Sequence, residues 1–179
     1  MRSSHESARD SALPLVVGFA AADGVRYGVR LLERLVDRDV RTHLVVSRDA
    51  LRALGADAAR VQALAAASYA PENQAARISS GSFLTRGMVV APCDGASVAA
   101  IVMGLATNLV YRAADVTLKE RRPLLLGVPP EALERVPGHL LERAAAVPGL
   151  ALAPLVGSPD TAAESLLAQL GVEGAAAPA

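Results

Sequence analysis

Residues 13–38 read LPLVVGFAAADGVRYGVRLLERLVDR. The apolar run at 13–19 has the length of a strand, and its lack of polar alternation is typical of a strand buried on both faces. Small residues follow at 20–24, and apolar side chains then recur at helical spacing over 25–38. This stretch predicts a strand, a tight turn and a helix in direct succession.

The same pattern continues along the chain. Each further strand is short and almost wholly apolar, and most are followed by segments with the residue spacing of a helix. Strands that alternate with helices in this way predict a doubly wound α/β fold with a parallel sheet covered on both faces. We predict further strands at 42–47, 87–91, 123–128 and 150–153, and further helices at 49–67, 96–109, 112–120, 131–146 and 161–170.

The chain has the size and composition of one domain. Its 179 residues are 52% hydrophobic, which is enough to bury a single core. We place this domain at 13–172, between tails at 1–12 and 173–179 that we predict to be disordered. Within the domain, we interpret residues 68–82 as an irregular segment.

Charge and cysteine content exclude several classes of function. Lys and Arg number 18, as do Asp and Glu, and aromatic residues make up 3%, so neither a basic field nor stacking platforms for nucleic acid are expected. The apolar runs are far shorter than the ~20 residues that cross a bilayer. The single Cys93 excludes an intramolecular disulfide and a cysteine zinc cluster, and no histidines stand at metal-ligand spacing. We expect a cytoplasmic protein that binds no metal, nucleic acid or membrane.

The predicted sheet indicates where a ligand would bind. Doubly wound sheets bind ligands beyond the carboxyl ends of their strands. The loops at that edge are 20–24, 47–48, 92–97 and 129–131, which together form the candidate site. Cys93 lies in one of these loops, but we expect it to be a buried packing residue rather than a nucleophile.

Four stretches are together similar to one family. VGFAAADGVRYGVRLLERL at 17–35 resembles its opening strand, loop and helix, and THLVVSRDAL at 42–51 resembles its second strand. The more specific matches are RISSGSFLTRGMVVAPCDGAS at 77–97 and NLVYRAADVTLKERRPLLL at 108–126, since their order and separation also agree. On these residues the chain is identified as a member of the flavin prenyltransferase (UbiX-like) family of FMN-binding flavoproteins.

The resemblance implies a flavodoxin-like three-layer fold, bound FMN, and a homotrimer or dodecamer with sites at subunit boundaries. Prenyltransferases of this family move a dimethylallyl group from dimethylallyl phosphate to reduced FMN without a metal, and the prenylated FMN serves a partner decarboxylase. Lys119 and Arg112 match the family's catalytic basic residues near the substrate phosphate, where charged donors suit an anion. The positions that match FMN contacts are Ala21, Ala22, Asp23, Ser47, Asp94, Gly95, Ala96 and Ser97.

The first loop departs from the family pattern. Ala21 stands where the family has the first glycine of Gly-Ala-Ser-Gly, and Asp23 stands where it has the serine close to phosphate. A carboxylate at that position repels a phosphate, unless it is protonated or turned to cap the following helix. Both orientations of Asp23 are open at this point.

Three further departures fall on positions that serve the transferred group. Pro129 and Pro130 replace an Arg-Glu pair, and proline offers neither a charge nor a backbone donor. The family's active-site glutamate has no counterpart near residues 54–60, and its substrate-phosphate tyrosine has none in PLVGSPDT at 154–161. These losses indicate altered chemistry within a retained framework.

Three hypotheses follow. The leading one is an FMN-binding flavin prenyltransferase. The second is an FMN-dependent decarboxylase that oxidises cysteine, which is less favoured because PENQAARI at 71–78 lacks the histidine expected there. The third is a non-catalytic flavin-binding or ligand-free subunit that shapes an oligomer with an active relative.

Overall fold

The computed structural model of the protein describes residues 12–172. The tails predicted at 1–12 and 173–179 therefore lie outside the described residues, apart from residue 12. The described part forms one six-stranded sheet with helices on both faces, and its strand order is β3-β2-β1-β4-β5-β6. The strands are β1 (Leu15–Phe19), β2 (Thr42–Val46), β3 (Ala67–Tyr69), β4 (Gly87–Val90), β5 (Leu124–Val128) and β6 (Leu150–Pro154).

Every strand pair in the sheet is parallel. This confirms the predicted doubly wound α/β fold with a parallel sheet. The helices and strands alternate as the sequence indicated. The α-helices of the described residues are α1 (Val25–Asp37), α2 (Arg48–Leu54), α3 (Ala58–Ala63), α4 (Gly95–Val102), α5 (Leu109–Lys119), α6 (Pro130–Leu133), α7 (Gly138–Ala146) and α8 (Pro159–Gln169).

The central strand β1 shows why its sequence is apolar throughout. Successive side chains of a strand point to opposite faces, and both faces of β1 are buried. Leu15, Val17 and Phe19 pack in the cluster that includes α1 and α8. Val16 packs in the opposite cluster, with α4 and α5. Two hydrophobic layers therefore hold the sheet, as expected for strands without polar alternation.

Strand β3 is an element that the sequence did not reveal. Residues 67–69 fall in or beside the segment interpreted as irregular, but they pair in parallel with β2, His43 opposite Ala67 and Val45 opposite Tyr69. The strand is short and partly exposed at the edge of the sheet. A three-residue edge strand with small and polar residues carries too little hydrophobic pattern to be recognised.

Three predicted helices are shorter than expected or interrupted. The helix predicted at 49–67 breaks at Gly55, whose φ of 52° is a left-handed value, and residues 55–57 form a 3-10 turn. The helix predicted at 96–109 ends at Val102. The helix predicted at 131–146 is divided into α6 and α7, because Pro137 has no N–H and stands at the start of α7.

The connection from β3 to β4, residues 70–86, is here called the strap. It passes from the carboxyl edge of the sheet to the amino edge with only one 3-10 turn. Near its start, the Pro71 carbonyl accepts the Leu109 N–H at 2.8 Å. Near its end, Arg122 donates to the carbonyls of Gly81 at 2.7 Å and Phe83 at 2.9 Å. We call this second attachment the Arg122 clasp.

Candidate functional site

The strand register brings the predicted loops to one edge of the sheet. Phe19 pairs with Val46, and Gly18 pairs with Val90, so β1, β2 and β4 end at the same level. Val90 in turn pairs with Leu126 of β5. The loops that follow these strands therefore meet at the carboxyl edge, where ligands bind in doubly wound folds.

The turn after β1 is held against its neighbours. The Ala20 N–H donates to the Pro92 carbonyl at 3.0 Å, which ties this turn to the loop after β4. Gly24 has a φ of 78°, and a Cβ at this position would lie 3.5 Å from Pro92 and 3.6 Å from Pro129. Glycine is thus the residue that adopts this left-handed turn without strain. The loops after β1, β4 and β5 are consequently packed together.

Asp23 does not cap the helix that follows it. The N-cap of α1 is Gly24, and no side chain makes a capping hydrogen bond there. The Asp23 side chain is exposed and faces the groove described below. Of the two orientations that the sequence left open, the helix-capping one is wrong. The carboxylate lies on the surface where the resemblance placed a phosphate contact.

Ser47 has a structural role at the end of β2, where it caps the following helix. Its hydroxyl oxygen accepts the Ala50 N–H at 3.2 Å, as the cap of α2, and its hydroxyl donates to the Ala20 carbonyl at 3.2 Å. Serine is a preferred N-cap because its side chain pairs with an amide that the helix leaves free. Ser47 therefore links the loops after β1 and β2, and it also lines the groove.

The loop after β4 forms a second capped helix start. Asp94 accepts the Ser97 N–H at 2.8 Å and so caps α4. The Ser97 hydroxyl is hydrogen-bonded to the Tyr111 hydroxyl at 3.0 Å, and Ser97 is only 1% exposed. Burial raises the pKa of the Tyr111 phenol. Ser97 is thus buried behind the loop, whereas Asp94, Gly95 and Ala96 face the groove.

Three adjoining recesses form one groove along the carboxyl edge. The first has a volume of about 620 Å³ and the second about 520 Å³, and both are lined by Asp49 and Arg52. The third, of about 320 Å³, shares Asp23 and Asp94 with the second. Of the eight predicted FMN-contact positions, the groove is lined by Ala21, Ala22, Asp23, Ser47, Asp94, Gly95 and Ala96. Whether they contact FMN stays a prediction.

The two predicted catalytic residues lie elsewhere in the same chain. Lys119 ends α5 and Arg112 lies in its first turn, and both pair with Asp115, at 2.8 and 3.3 Å. Lys119 is close to the start of β5 and hence to the amino edge of the sheet. Neither side chain lines the three recesses. A single chain does not bring them to the groove, and their contact with a substrate stays a prediction.

Several groove residues lie outside the loops predicted from the sequence, and Arg48, within one of those loops, was not assigned a role. Arg48 pairs with Glu72 of the strap and lowers the pKa of that carboxyl. Arg52 pairs with Asp49 within α2. Tyr111 and Asn108 approach from α5, where the Asn108 side chain caps the helix by accepting the Tyr111 N–H at 3.0 Å. Asn108 before an apolar helix is an N-cap signal that the sequence did carry.

Two other predicted features have clear positions. Cys93 is buried beneath its loop, and burial raises the pKa of its thiol, so the sulfur is not a nucleophile in this state. Pro129 and Glu131 line the third recess, so the position without the family's arginine does face the groove. Within residues 12–172, no three His, Cys, Asp or Glu side chains are grouped to hold a metal ion.

The helices of the described part are also too short or too polar to span a membrane.

Comparison with known proteins places the chain in a family. The Flavoprotein family matches residues 3–134. A probable UbiX-like flavin prenyltransferase of Streptomyces sp. (strain D7) is 52% identical over 117 residues, which cover 63% of this chain and 58% of that relative. The flavin prenyltransferase UbiX of Escherichia coli (strain K12) is 42% identical over 146 residues, covering 79% of this chain and 77% of the relative. The match to the Streptomyces protein thus spans less than two thirds of its length.

Solved structures agree with the sequence relatives. A dodecameric FMN-dependent UbiX-like decarboxylase from Escherichia coli O157:H7 matches with a TM-score of 0.84 at 36% identity, over 90% of this chain and 97% of that one. AnUbiX (PadA1), in complex with FMN and dimethylallyl pyrophosphate, matches with a TM-score of 0.81 at 29% identity, over 90% and 94% of the two chains. The chain therefore belongs to the flavoprotein family, in its UbiX-like branch.

Proposed function

We propose that the chain binds FMN in the groove and transfers a dimethylallyl group from dimethylallyl phosphate to reduced FMN. The observation that carries this proposal is the continuous groove at the carboxyl edge, lined by most of the positions that match FMN contacts in the family. Its relatives are flavin prenyltransferases, and one structural neighbour holds FMN with dimethylallyl pyrophosphate.

The groove fits the ring system of a flavin. A first recess of about 620 Å³ lies within the range of small-molecule sites, about 300–1,000 Å³. Ala20, Ala21 and Ala22 have short side chains, which let a flat ring approach the backbone closely. Tyr111 adds an aromatic wall on the side of α5. We propose that these residues bind and orient the isoalloxazine ring.

When bound and reduced, FMN supplies the nucleophile for the prenyl group. The chain's own residues position it: Ser47 and Asp94 fix the two helix starts that border the groove. Tyr111, held by Ser97, presents a ring of fixed position. Transfer breaks the bond between the dimethylallyl carbon and the phosphate oxygen, and the phosphate leaves with the electron pair. A cationic donor is needed where that charge develops.

That donor is absent from position 129, so we propose that it comes from another copy of the chain. Lys119 and Arg112 share one carboxylate, Asp115, which cannot neutralise both cations. Their place on α5, away from the chain's own groove, is compatible with a role in a neighbour's groove. The proposal accordingly includes a homotrimer or dodecamer, a cytoplasmic location, and a partner decarboxylase that uses the prenylated FMN.

A second candidate function is flavin binding without prenyl transfer. It is favoured by Pro129, Pro130 and Glu131, which give the third recess a carboxylate but no arginine from this loop. Such a chain would retain flavin as a carrier or as a subunit of an oligomer. An FMN-dependent decarboxylase of the same superfamily remains the other enzymatic alternative, and one structural neighbour is named an FMN-dependent UbiX-like decarboxylase.

The test is an absorption spectrum of the purified protein after incubation with FMN and desalting, then after addition of reductant and dimethylallyl phosphate. Retained flavin that converts to a prenylated product supports the transferase. Retained flavin without conversion supports the carrier. Protein that elutes free of flavin overturns both proposals.

A further inference from the structure

The charges of the groove are distributed unevenly. The second and third recesses each have two more carboxylates than arginines: Asp23, Asp49 and Asp94 against Arg52 in the second, and Asp23, Asp94 and Glu131 against Arg135 in the third. The first recess is lined by Arg48 and Arg52 together with their partners Glu72 and Asp49, so its charges balance. We call these the acidic end and, because both arginines line it, the basic end of the groove. A ligand that carries an anionic group therefore meets a different environment at each end.

The acidic end begins at the turn after β1. Asp23 is exposed, its carboxylate is not used as a helix cap, and it faces two of the recesses. A phosphate at this turn would meet the exposed Asp23 carboxylate, which repels it.

At the basic end, Arg52 has N–H groups beyond those that its ion pair with Asp49 uses. Arg52 and Asp49 form an exposed pair three residues apart on α2, and such pairs are weak in water. A guanidinium has five N–H donors and suits phosphate oxygens, so Arg52 can bind an anion as well as Asp49. Arg52 also borders both the first and second recesses. Arg48 is likewise paired, with Glu72 of the strap.

We propose that Asp23 and Asp94 exclude the flavin phosphate from the turn at 20–24, and that Arg52 binds it at the basic end. This inference rests on the proposed function, since it states how the same groove orients its flavin. Asp23 and Arg52 are then the residues that determine specificity for the phosphorylated flavin. The positions that the family uses near phosphate serve the opposite purpose in this chain.

The test compares FMN with riboflavin, which differs from it only by the phosphate. Dissociation constants are measured by quenching of flavin fluorescence for the full chain and its variants. We expect Asp23→Asn to strengthen FMN binding at least threefold and Arg52→Gln to weaken it about tenfold. Neither change alters riboflavin binding, because only the phosphate senses these charges. Asp94→Asn, which retains a helix-capping oxygen, acts in the same direction as Asp23→Asn.

Matched controls lie one short helix further along. Arg60 and Asp57 form an exposed pair with the same three-residue spacing as Arg52 and Asp49, but they lie outside the groove. Arg60→Gln and Asp57→Asn should leave both dissociation constants unchanged. If they shift FMN binding as much as the groove variants do, the effect is one of general charge and the inference is overturned.

The other outcomes are also decisive. One is that the wild-type chain binds both flavins while Asp23→Asn and Arg52→Gln change the dissociation constants of FMN and riboflavin equally, or change neither constant. In that case the proposed orientation is wrong and the proposed function stands. Failure of the wild-type chain to bind either flavin overturns the proposed function and this inference together. Stronger FMN binding by Asp23→Asn together with unchanged FMN binding by Arg52→Gln would place the phosphate at the turn after β1 and overturn the inference.

Discussion

The Arg122 clasp and the groove occupy opposite edges of one sheet, and they differ in how their residues are used. In the clasp, the Arg122 side chain is 14% exposed, and its guanidinium donates hydrogen bonds to two backbone carbonyls of the strap. In the groove, the side chains of Asp23, Arg52 and Glu131 are exposed, and none of the three holds a backbone carbonyl in this way. Arg122 lies within the stretch 108–126 on which the resemblance to the family rests, whereas the predicted departures from the family pattern lie in the groove loops. Residues with structural bonds resist change, whereas exposed loop residues at strand ends can change charge without disturbing the sheet.

The largest effect should come from breaking the clasp. Arg122→Ala leaves the Gly81 and Phe83 carbonyls without their donor, so we expect the free energy of unfolding to fall by about 2–3 kcal/mol. Urea denaturation followed by circular dichroism measures it. Arg121→Ala is the matched control, because the neighbouring Arg121 side chain is exposed. Equal losses in the two variants would mean that the clasp adds no stability of its own.

The second largest effect is expected in the groove, from restoring a cation at position 129. Pro129→Arg places a cation in the third recess, and the backbone there, at φ −55° and ψ 139°, admits arginine. We expect the half-saturating concentration of dimethylallyl phosphate to fall about tenfold, since hydrogen bonds to charged groups contribute roughly 1.5–3 kcal/mol. Steady-state prenylation of FMN is the measurement. Pro148→Arg adds the same charge at an exposed turn and should change nothing.

A smaller effect is expected at the helix start that borders the groove. Asp94→Ala removes the oxygen that accepts the Ser97 N–H, and loss of an N-cap costs about 1 kcal/mol of stability. Asp94→Asn should retain most of that stability, because asparagine also caps helices well. Thermal unfolding of the two variants separates the cap from the charge. A deficit as large in Asp94→Asn would show that the charge, not the cap, stabilises α4.

The smallest effect concerns pH. His43 is 2% exposed, with Nδ1 2.7 Å from the Tyr69 hydroxyl, and burial, followed by Arg41 and Arg77, lowers its pKa. The unfolded chain therefore binds a proton first as the pH falls below about 6.5. Stability from neutral His43 is complete above that pH and decreases below it. The melting temperature between pH 8 and 5 should fall less steeply in His43→Gln than in the wild type, and parallel slopes would exclude His43 as the cause.

The comparison also explains what the sequence could predict. Apolar runs and helical spacing located five of the six strands: β1, β2, β4 and β5 are buried on both faces and are therefore largely apolar, and the edge strand β6 is apolar although it is partly exposed. The exposed edge strand β3 has no such requirement, so its sequence carries no clear signal. The helix breaks at Gly55 and Pro137 were visible as residues, but each lies in a segment that otherwise has helical composition.

The groove was predictable only in part. The loops at strand ends followed from the fold, so residues such as Ala21, Ser47 and Asp94 could be named in advance. Tyr111 and Glu72 come from a helix and the strap, far from those loops in sequence. Their approach depends on how α5 and residues 70–86 pack over the sheet, which no local pattern encodes. The orientation of Asp23 likewise depended on which residue caps α1.

The strap joins the two regions that were contrasted above. One end supplies Pro71 and Glu72 to the wall of the groove, and the other end is fixed by Arg122. Between them, Ala76 and Ile78 are buried in the core beneath it. If this segment unfolds as one cooperative unit, its amide protons exchange together, and the same opening that admits solvent to the core also releases a bound ligand. The lifetime of a complex in the groove then has an upper limit set by a single arginine at the far edge of the sheet.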